Sequence, residues 1–125
     1  MIVDTSVWVE SFRRRDARLS EWMAGDLVLQ HPFVTAEISM GSFATSEVRS
    51  RTIDLMDSFQ QVATAALDEI HAFVAEHKLF GVGIGFIDAN LLHASFCNPA
   101  ARLATYDKRL AEQAKRMGLP GETLM

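Results

Sequence analysis

Met1-Ile2-Val3-Asp4-Thr5-Ser6-Val7-Trp8-Val9 opens the chain with three apolar residues, an acid, two hydroxyl residues and a second apolar run. Residues 1–4 read as a short strand. A helix begins near Thr5 or Ser6, either of which could cap it. The same order, a short apolar strand and then a helical pattern, recurs along the chain. An amphipathic helix over 16–24 stops at Gly25, a residue type that ends helices. Residues 27–29 form a short strand closed by His31-Pro32. Helical patterns cover 33–43 and 46–59, and a strand is expected over 61–64. Residues 67–79 make a helix with Ile70, Phe73, Val74 and His77 on one face. Gly81, Gly83 and Gly85 form a loop. A buried helix over 86–96 follows and ends at Asn98-Pro99, because proline cannot continue it and restricts the residue before it. The last expected strand is 102–105, and a final helix over 108–117 stops at Gly118. Short apolar strands separated by helices imply a parallel sheet covered on both faces. The expected fold is α/β, a single three-layer α/β/α domain over residues 1–125 with a central, mostly parallel sheet.

Bulk properties narrow the class without naming a chemistry. The chain has 125 residues, enough for one core. Its apolar share is 49% and its charged share 22%, the balance of a globular protein. No apolar run approaches the ~18–20 residues that cross a bilayer, so no membrane contact is expected. The N-terminus lacks the basic stretch of a signal peptide. Cys97 is the only cysteine, so no internal disulfide forms, which suits a reducing cytoplasm. A formal charge of −4 weighs against a general phosphate-binding surface, although a group of catalytic acids would itself lower the charge.

Three acids stand in apolar surroundings. Asp4 lies between Ile2-Val3 and Val7-Trp8-Val9, Glu37 within Phe33-Val34-Thr35-Ala36-Glu37-Ile38, and Asp88 within Phe86-Ile87-Asp88-Ala89-Asn90-Leu91-Leu92. A buried carboxylate needs a counter-charge, strong donors or a metal. Asp4 and Asp107 each fall just after an expected strand, at its carboxyl end, where α/β sheets bind ligands. Glu37 and Asp88 are expected in the first turns of helices aimed at the same edge. A common metal site would satisfy all four. An all-oxygen donor set, without Cys or His at ligand spacing, favours Mg²⁺ or Mn²⁺ over zinc. Such ions bridge carboxylates to phosphates, which points to phosphodiester chemistry. Each acid also has an ordinary structural role open to it. Asp4 and Asp107 could be helix N-caps, Glu37 could accept from a nearby donor, and Asp88 could pair with an arginine.

Four segments together resemble the PIN-domain ribonucleases, specifically the VapC-like toxins of bacterial toxin–antitoxin pairs. They are Ile2-Val3-Asp4-Thr5-Ser6-Val7-Trp8, Thr35-Ala36-Glu37-Ile38 with Gly41, Gly85-Phe86-Ile87-Asp88-Ala89-Asn90-Leu91-Leu92, and Leu103-Ala104-Thr105-Tyr106-Asp107-Lys108-Arg109-Leu110. The resemblance spans essentially the whole chain. It implies a PIN-like fold and a metal-dependent endoribonuclease in which Asp4, Glu37, Asp88 and Asp107 bind Mg²⁺ or Mn²⁺ and drive hydrolysis of RNA. It also implies that Thr5, Ser6 and Thr105 act as polar supports at the substrate site, a homodimer, and a VapB-like antitoxin covering the acids. Some members carry a further acid just beyond the last one. Here Lys108 and Arg109 stand there instead, placed to hold substrate phosphate.

Other features read as structural. Arg13-Arg14-Arg15 with Arg18, and Arg49 with Arg51, read as solvated helix surface, with RNA or antitoxin contact as the alternative. The run Gly81-Val82-Gly83-Ile84-Gly85 follows a helix, not a strand, so it is a connector and not a dinucleotide fingerprint. His31, His71, His77 and His93 are scattered. Trp8 and Trp22 read as core or dimer contact. Two other functions compete with the nuclease. One is a phosphatase or phosphotransferase with Asp4 as nucleophile, disfavoured because Ser6 stands where Asp-x-Asp needs an acid. The other is a PIN-fold binding module without activity, disfavoured by the presence of all four acids.

Overall fold

The computed structural model describes residues 1–14 and 17–123. The helix start expected at Asp16, and Arg15 of the basic run, lie outside the described residues. In chain order the elements are β1 (Ile2–Val3), α1 (Thr5–Arg13), α2 (Ala17–Ala24), β2 (Leu29–Gln30), α3 (Pro32–Ser39), α4 (Ser46–Asp57), β3 (Gln60–Gln61), α5 (Leu67–Glu76), α6 (Phe86–Cys97), β4 (Leu103–Thr105), α7 (Lys108–Arg116) and β5 (Gly121–Thr123). The fold class is the expected α/β.

The five strands form one sheet in the order β3-β2-β1-β4-β5, and every pairing is parallel. From β1 the chain first steps outward to β2 and β3, then returns to the other side of β1 for β4 and β5. Right-handed crossovers therefore put the helices between β1 and β3 on one face and those after β3 on the other. The reversal falls between β1 and β4, and that switch point opens a crevice at the carboxyl ends of these strands. Ile2, Val3, Leu103 and Ala104 are all buried, as strands covered on both faces require. They join one core with Val7, Trp8, Leu91, Leu92 and Leu110. Trp8 packs in that core against Phe59, with ring centroids 6.1 Å apart, and Trp22 lies at its margin. Among the described residues no helix is long and apolar enough to cross a membrane.

The departures from the sequence reading have local causes. Thr5 starts α1, and the cap position falls to Asp4, the other candidate, and not to Thr5 or Ser6. α2 runs on to Ala24, and the left-handed residue that ends it is Asp26 (φ 55°), not Gly25. The Leu27 amide returns to the Trp22 carbonyl and the Asp26 amide to that of Met23, the paired bonds of a Schellman ending. Lys78 (φ 52°) does the same for α5, which stops at Glu76 and not at 79. Gly118 (φ 70°) closes α7 in this way at the expected place. α3 ends at Ser39, well short of 43. β2 and β3 have bounds one to three residues from those expected, and β5 was not expected at all. Its Gly-Glu-Thr carries no apolar run. It exists because the tight turn after α7 lays it beside β4, where a Cβ at Gly121 would stand 3.0 Å from the Leu103 carbonyl oxygen.

At the start of α3, His31 Nδ1 accepts the Phe33 amide at 3.0 Å. This bond requires Nδ1 unprotonated. Burial, and then the nearby His93, push the His31 pKa down to about 4, which keeps the cap intact at neutral pH.

Candidate active site

Because β1 and β4 pair Val3 with Ala104, Asp4 and Thr105 emerge side by side at the switch point. The Asp4 amide donates to the Ala104 carbonyl at 3.0 Å, continuing the ladder by one bond. Asp4 is only 4% exposed. Its Oδ2 accepts from Ser6 Oγ at 2.7 Å and from Thr105 Oγ1 at 2.7 Å. Each hydroxyl is held in turn. Ser6 Oγ accepts from the Tyr106 amide at 3.0 Å, and Thr105 Oγ1 accepts from the Asp107 amide at 2.9 Å. Two strand ends and two helix starts are thus tied through one carboxylate oxygen. Among the described residues Asp4 Oδ1 takes no hydrogen bond, and no lysine or arginine forms an ion pair with Asp4, Glu37, Asp88 or Asp107.

Asp107 follows β4 as Asp4 follows β1, and it does act as a cap. Its Oδ1 accepts from the Arg109 amide at 2.9 Å and from the Leu110 amide at 3.4 Å. Asp88, in the first turn of α6, accepts the Gly85 amide at 3.1 Å. Its carboxyl pKa is raised by burial first, against the lowering effect of the Gly85 hydrogen bond, and further by the fields of Asp4, Asp107 and Glu37. Those fields place Asp4, Asp107 and Glu37 within electrostatic reach of Asp88.

Glu37 departs from expectation. Its neighbours Val34, Thr35 and Ile38 are buried, but Glu37 itself is exposed and sits in the second turn of α3, not the first. Apolar neighbours in sequence do not bury a helix residue that points away from the core. Glu37 lines a cleft of about 580 Å³ with Thr5, Val9, Phe12, Arg13 and Phe43. The Thr5 hydroxyl is buried there without a hydrogen-bond partner. Among the described residues no three acids, histidines or cysteines come close enough to grip one ion. Asp88 and Asp107 are turned to the amides of their own helix starts, and like charges repel. The acids form an electrostatic neighbourhood, not a closed ligand set.

Lys108 and Arg109 are both exposed. Arg109 lies across the glycine loop, and a Cβ at Gly83 (φ 82°) would meet its Cδ at 3.0 Å. The absence of a side chain at Gly83 is therefore what lets Arg109 lie against the glycine loop. Lys108 borders a separate hollow of about 570 Å³ along α7, β4 and β5, which Thr105 also touches but none of the four acids lines. Arg13 lines the first cleft, Arg14 pairs with Glu10 at 2.7 Å, and Arg49 Nε donates to the Ser39 carbonyl.

Ribonuclease VapC32 of Mycobacterium tuberculosis, in each of two strains, is 38% identical to this chain over 119 residues, covering 95% of the chain and 94% of the relative. The chain belongs to the VapC-like family of PIN-domain ribonucleases. A crystal structure of PAE2754 from Pyrobaculum aerophilum superposes with a TM-score of 0.65 at 20% identity, over 96% of this chain and 87% of that one, and so shares the fold. No family model matches the chain. Sequence reasoning took Ser6 and Thr105 as polar supports at the substrate site. It missed that both hydroxyls converge on Asp4, and it missed the Gly85 amide that holds Asp88. The signal for the first was a hydroxyl two residues from each strand-end acid, Ser6 after Asp4 and Thr105 before Asp107.

Proposed function

We propose that this chain is the toxin of a toxin–antitoxin pair, an endoribonuclease that hydrolyses RNA with Mg²⁺ or Mn²⁺ held by Asp4, Asp88, Asp107 and Glu37. The observation that carries the reading is Asp4, a buried carboxylate at the sheet's switch point held only by neutral hydroxyls. An uncompensated charge there costs several kcal/mol, and a divalent ion would offset it. The chemistry of the donors, though not their present spacing, suits such an ion, since they are all oxygen and no lysine or arginine among the described residues pairs with them. A divalent cation supplies a low-pKa water and offsets charge on the scissile phosphate.

The chain's own residues prepare that chemistry. Ser6 and Thr105 fix the Asp4 carboxylate through Oδ2 and leave Oδ1 free to ligate. Asp88, Asp107 and Glu37 would hold the cation together with Asp4, with Asp88 and Asp107 giving up their amide hydrogen bonds to do so. Thr5 lines the cleft beside Glu37 on the substrate's side, and Lys108 and Arg109 hold phosphates flanking the cut.

The chain acts in the cytoplasm as a homodimer, and a VapB-like antitoxin covers the acids. The exposed Phe12, Met40, Leu55 and Phe96 supply apolar surface for such contacts. The test is cleavage of total RNA by the purified protein with Mg²⁺, with Mn²⁺ and with chelator. Metal-dependent cleavage abolished by Asp4→Asn and by Asp88→Asn is expected, and cleavage indifferent to chelator would overturn the reading.

A further inference from the structure

Phe33 and Phe86 stack across the first turns of α3 and α6, with ring centroids 6.1 Å apart and planes 30° from parallel. Behind them the His31 ring lies 5.0 Å from Phe33. The three rings form a row that starts at His31, 2% exposed, and ends at Phe86, 50% exposed. His31 is fixed by its bond to the Phe33 amide, so the inner end of the row is rigid. Phe33 lies one turn before Glu37 on the same stripe of α3, and Phe86 is the first residue of α6, the helix whose first turn carries Asp88. The ring pair therefore joins the starts of the two helices that carry Glu37 and Asp88, and Asp88 lies within the field of Glu37.

We propose that Phe33 and Phe86 are a nucleobase platform, positioning residues that receive one unpaired base of the RNA strand next to the phosphate held at the acids. The proposal rests on the ribonuclease reading of the same site. A nucleotide with its phosphate among the acids lays its base a sugar's length away from them, and Phe86 is exposed apolar surface at the start of the helix that carries Asp88. Aromatic faces take bases by stacking, whichever base it is. A ring already held on its far side pays little ordering cost on contact. The platform accordingly selects single-stranded RNA, because a base inside a duplex has both faces covered by its neighbours. It does not choose among bases.

The experiment measures binding of a short unstructured RNA, labelled at one end, by fluorescence anisotropy with Ca²⁺ in place of Mg²⁺ or Mn²⁺, the RNA being checked as intact afterwards on a gel. Phe86→Leu keeps the apolar packing on Phe33 and loses the aromatic face, and affinity is expected to fall roughly 5- to 150-fold. Phe86→Tyr keeps the face and is expected to retain wild-type affinity, an outcome that general loss of packing would not produce. The same RNA is then made abasic at each position in turn. One abasic position should lower wild-type binding to the Phe86→Leu level, with no further loss on combining the two. Unchanged affinity in Phe86→Leu, or a loss that no abasic position removes, overturns the platform. So does a change in sedimentation of Phe86→Leu at unchanged RNA affinity, which would assign the rings to a subunit contact. Wild-type protein that neither binds nor cuts RNA sinks the ribonuclease reading itself. Metal-dependent cutting with Phe86→Leu unaffected in binding sinks the platform alone.

Discussion

β1 and β4 lie side by side, run the same way, and each passes to a helix through an aspartate. At the end of β1, Asp4 occupies the cap position of α1 with an extended backbone, yet its side chain makes no cap bond. At the end of β4, Asp107 occupies the cap position of α7 and accepts two amides. The difference lies in the neighbours. Thr105 and Ser6 converge on Asp4 and turn its carboxylate away from its own helix, whereas nothing but its own helix competes for Asp107. A cap bond is worth about 1 kcal/mol. Two hydroxyl bonds to a buried carboxylate outweigh it, since hydrogen bonds to charged groups contribute roughly 1.5–3 kcal/mol each. Strand-end acids of the same type thus divide into one held by tertiary structure and one held by its own helix.

The largest expected effect is on catalysis. Asp4→Asn should lower metal-dependent RNA cleavage on the order of 10³-fold or more, several kcal/mol of barrier. Asp107→Asn should lower it less, because Asp107 is more exposed than Asp4 and its charge is better solvated. Equal losses in a cleavage time course would erase the distinction between the two ends.

Next comes stability. Thr105→Val removes a donor to Asp4 and an acceptor for the Asp107 amide, and should cost about 1–3 kcal/mol in urea unfolding. Asp107→Ala removes only a cap and should cost about 1 kcal/mol. A costlier Asp107→Ala would reverse the ranking of the two ends.

A third test uses pH, because Asp88 feels both ends. Its folded-state pKa lies above the ordinary 3.8, so its contribution to stability is full below that value and is lost as pH rises through the raised pKa. Without metal, Asp88→Asn should therefore melt higher than wild type at neutral pH, and the gap should close on acidification below about 3.8. Asparagine can still accept the Gly85 amide, so the helix start is preserved. Added Mn²⁺ should raise wild type alone and narrow the gap. A gap that is the same at every pH would show that the charge of Asp88 is not the cause.

The smallest effect is expected at the glycine loop. Gly83→Ala forces a side chain into a left-handed backbone and against Arg109, and should cost about 1 kcal/mol. If Arg109 holds phosphate, the same variant should weaken RNA binding more than Lys108→Ala does. Indifference to Gly83→Ala would free Arg109 from the loop.

Much of this molecule was legible in residue order. Apolar triplets followed by helical periodicity gave a parallel α/β sheet, and acids at strand ends marked the switch point. Local chemistry also offered a cap as one of two roles for Asp107 and placed Gly118 as a helix end, since each acts within its own turn. Four things were not legible. The end of α5 at Lys78 depends on a left-handed residue that is not glycine. β5 has no apolar signature and is defined by the strand it joins. Glu37 looked buried among apolar neighbours, but helix direction points it outward. The hydroxyl donors of Asp4 come from both sides of the switch point, and the bond from Thr105 spans 101 positions of sequence. Residue order determined which acids sit at which strand ends, because that follows from periodicities of a few residues. Tertiary structure alone decided which acid is buried, what holds it and which rings meet, because those contacts join elements that no local pattern brings together.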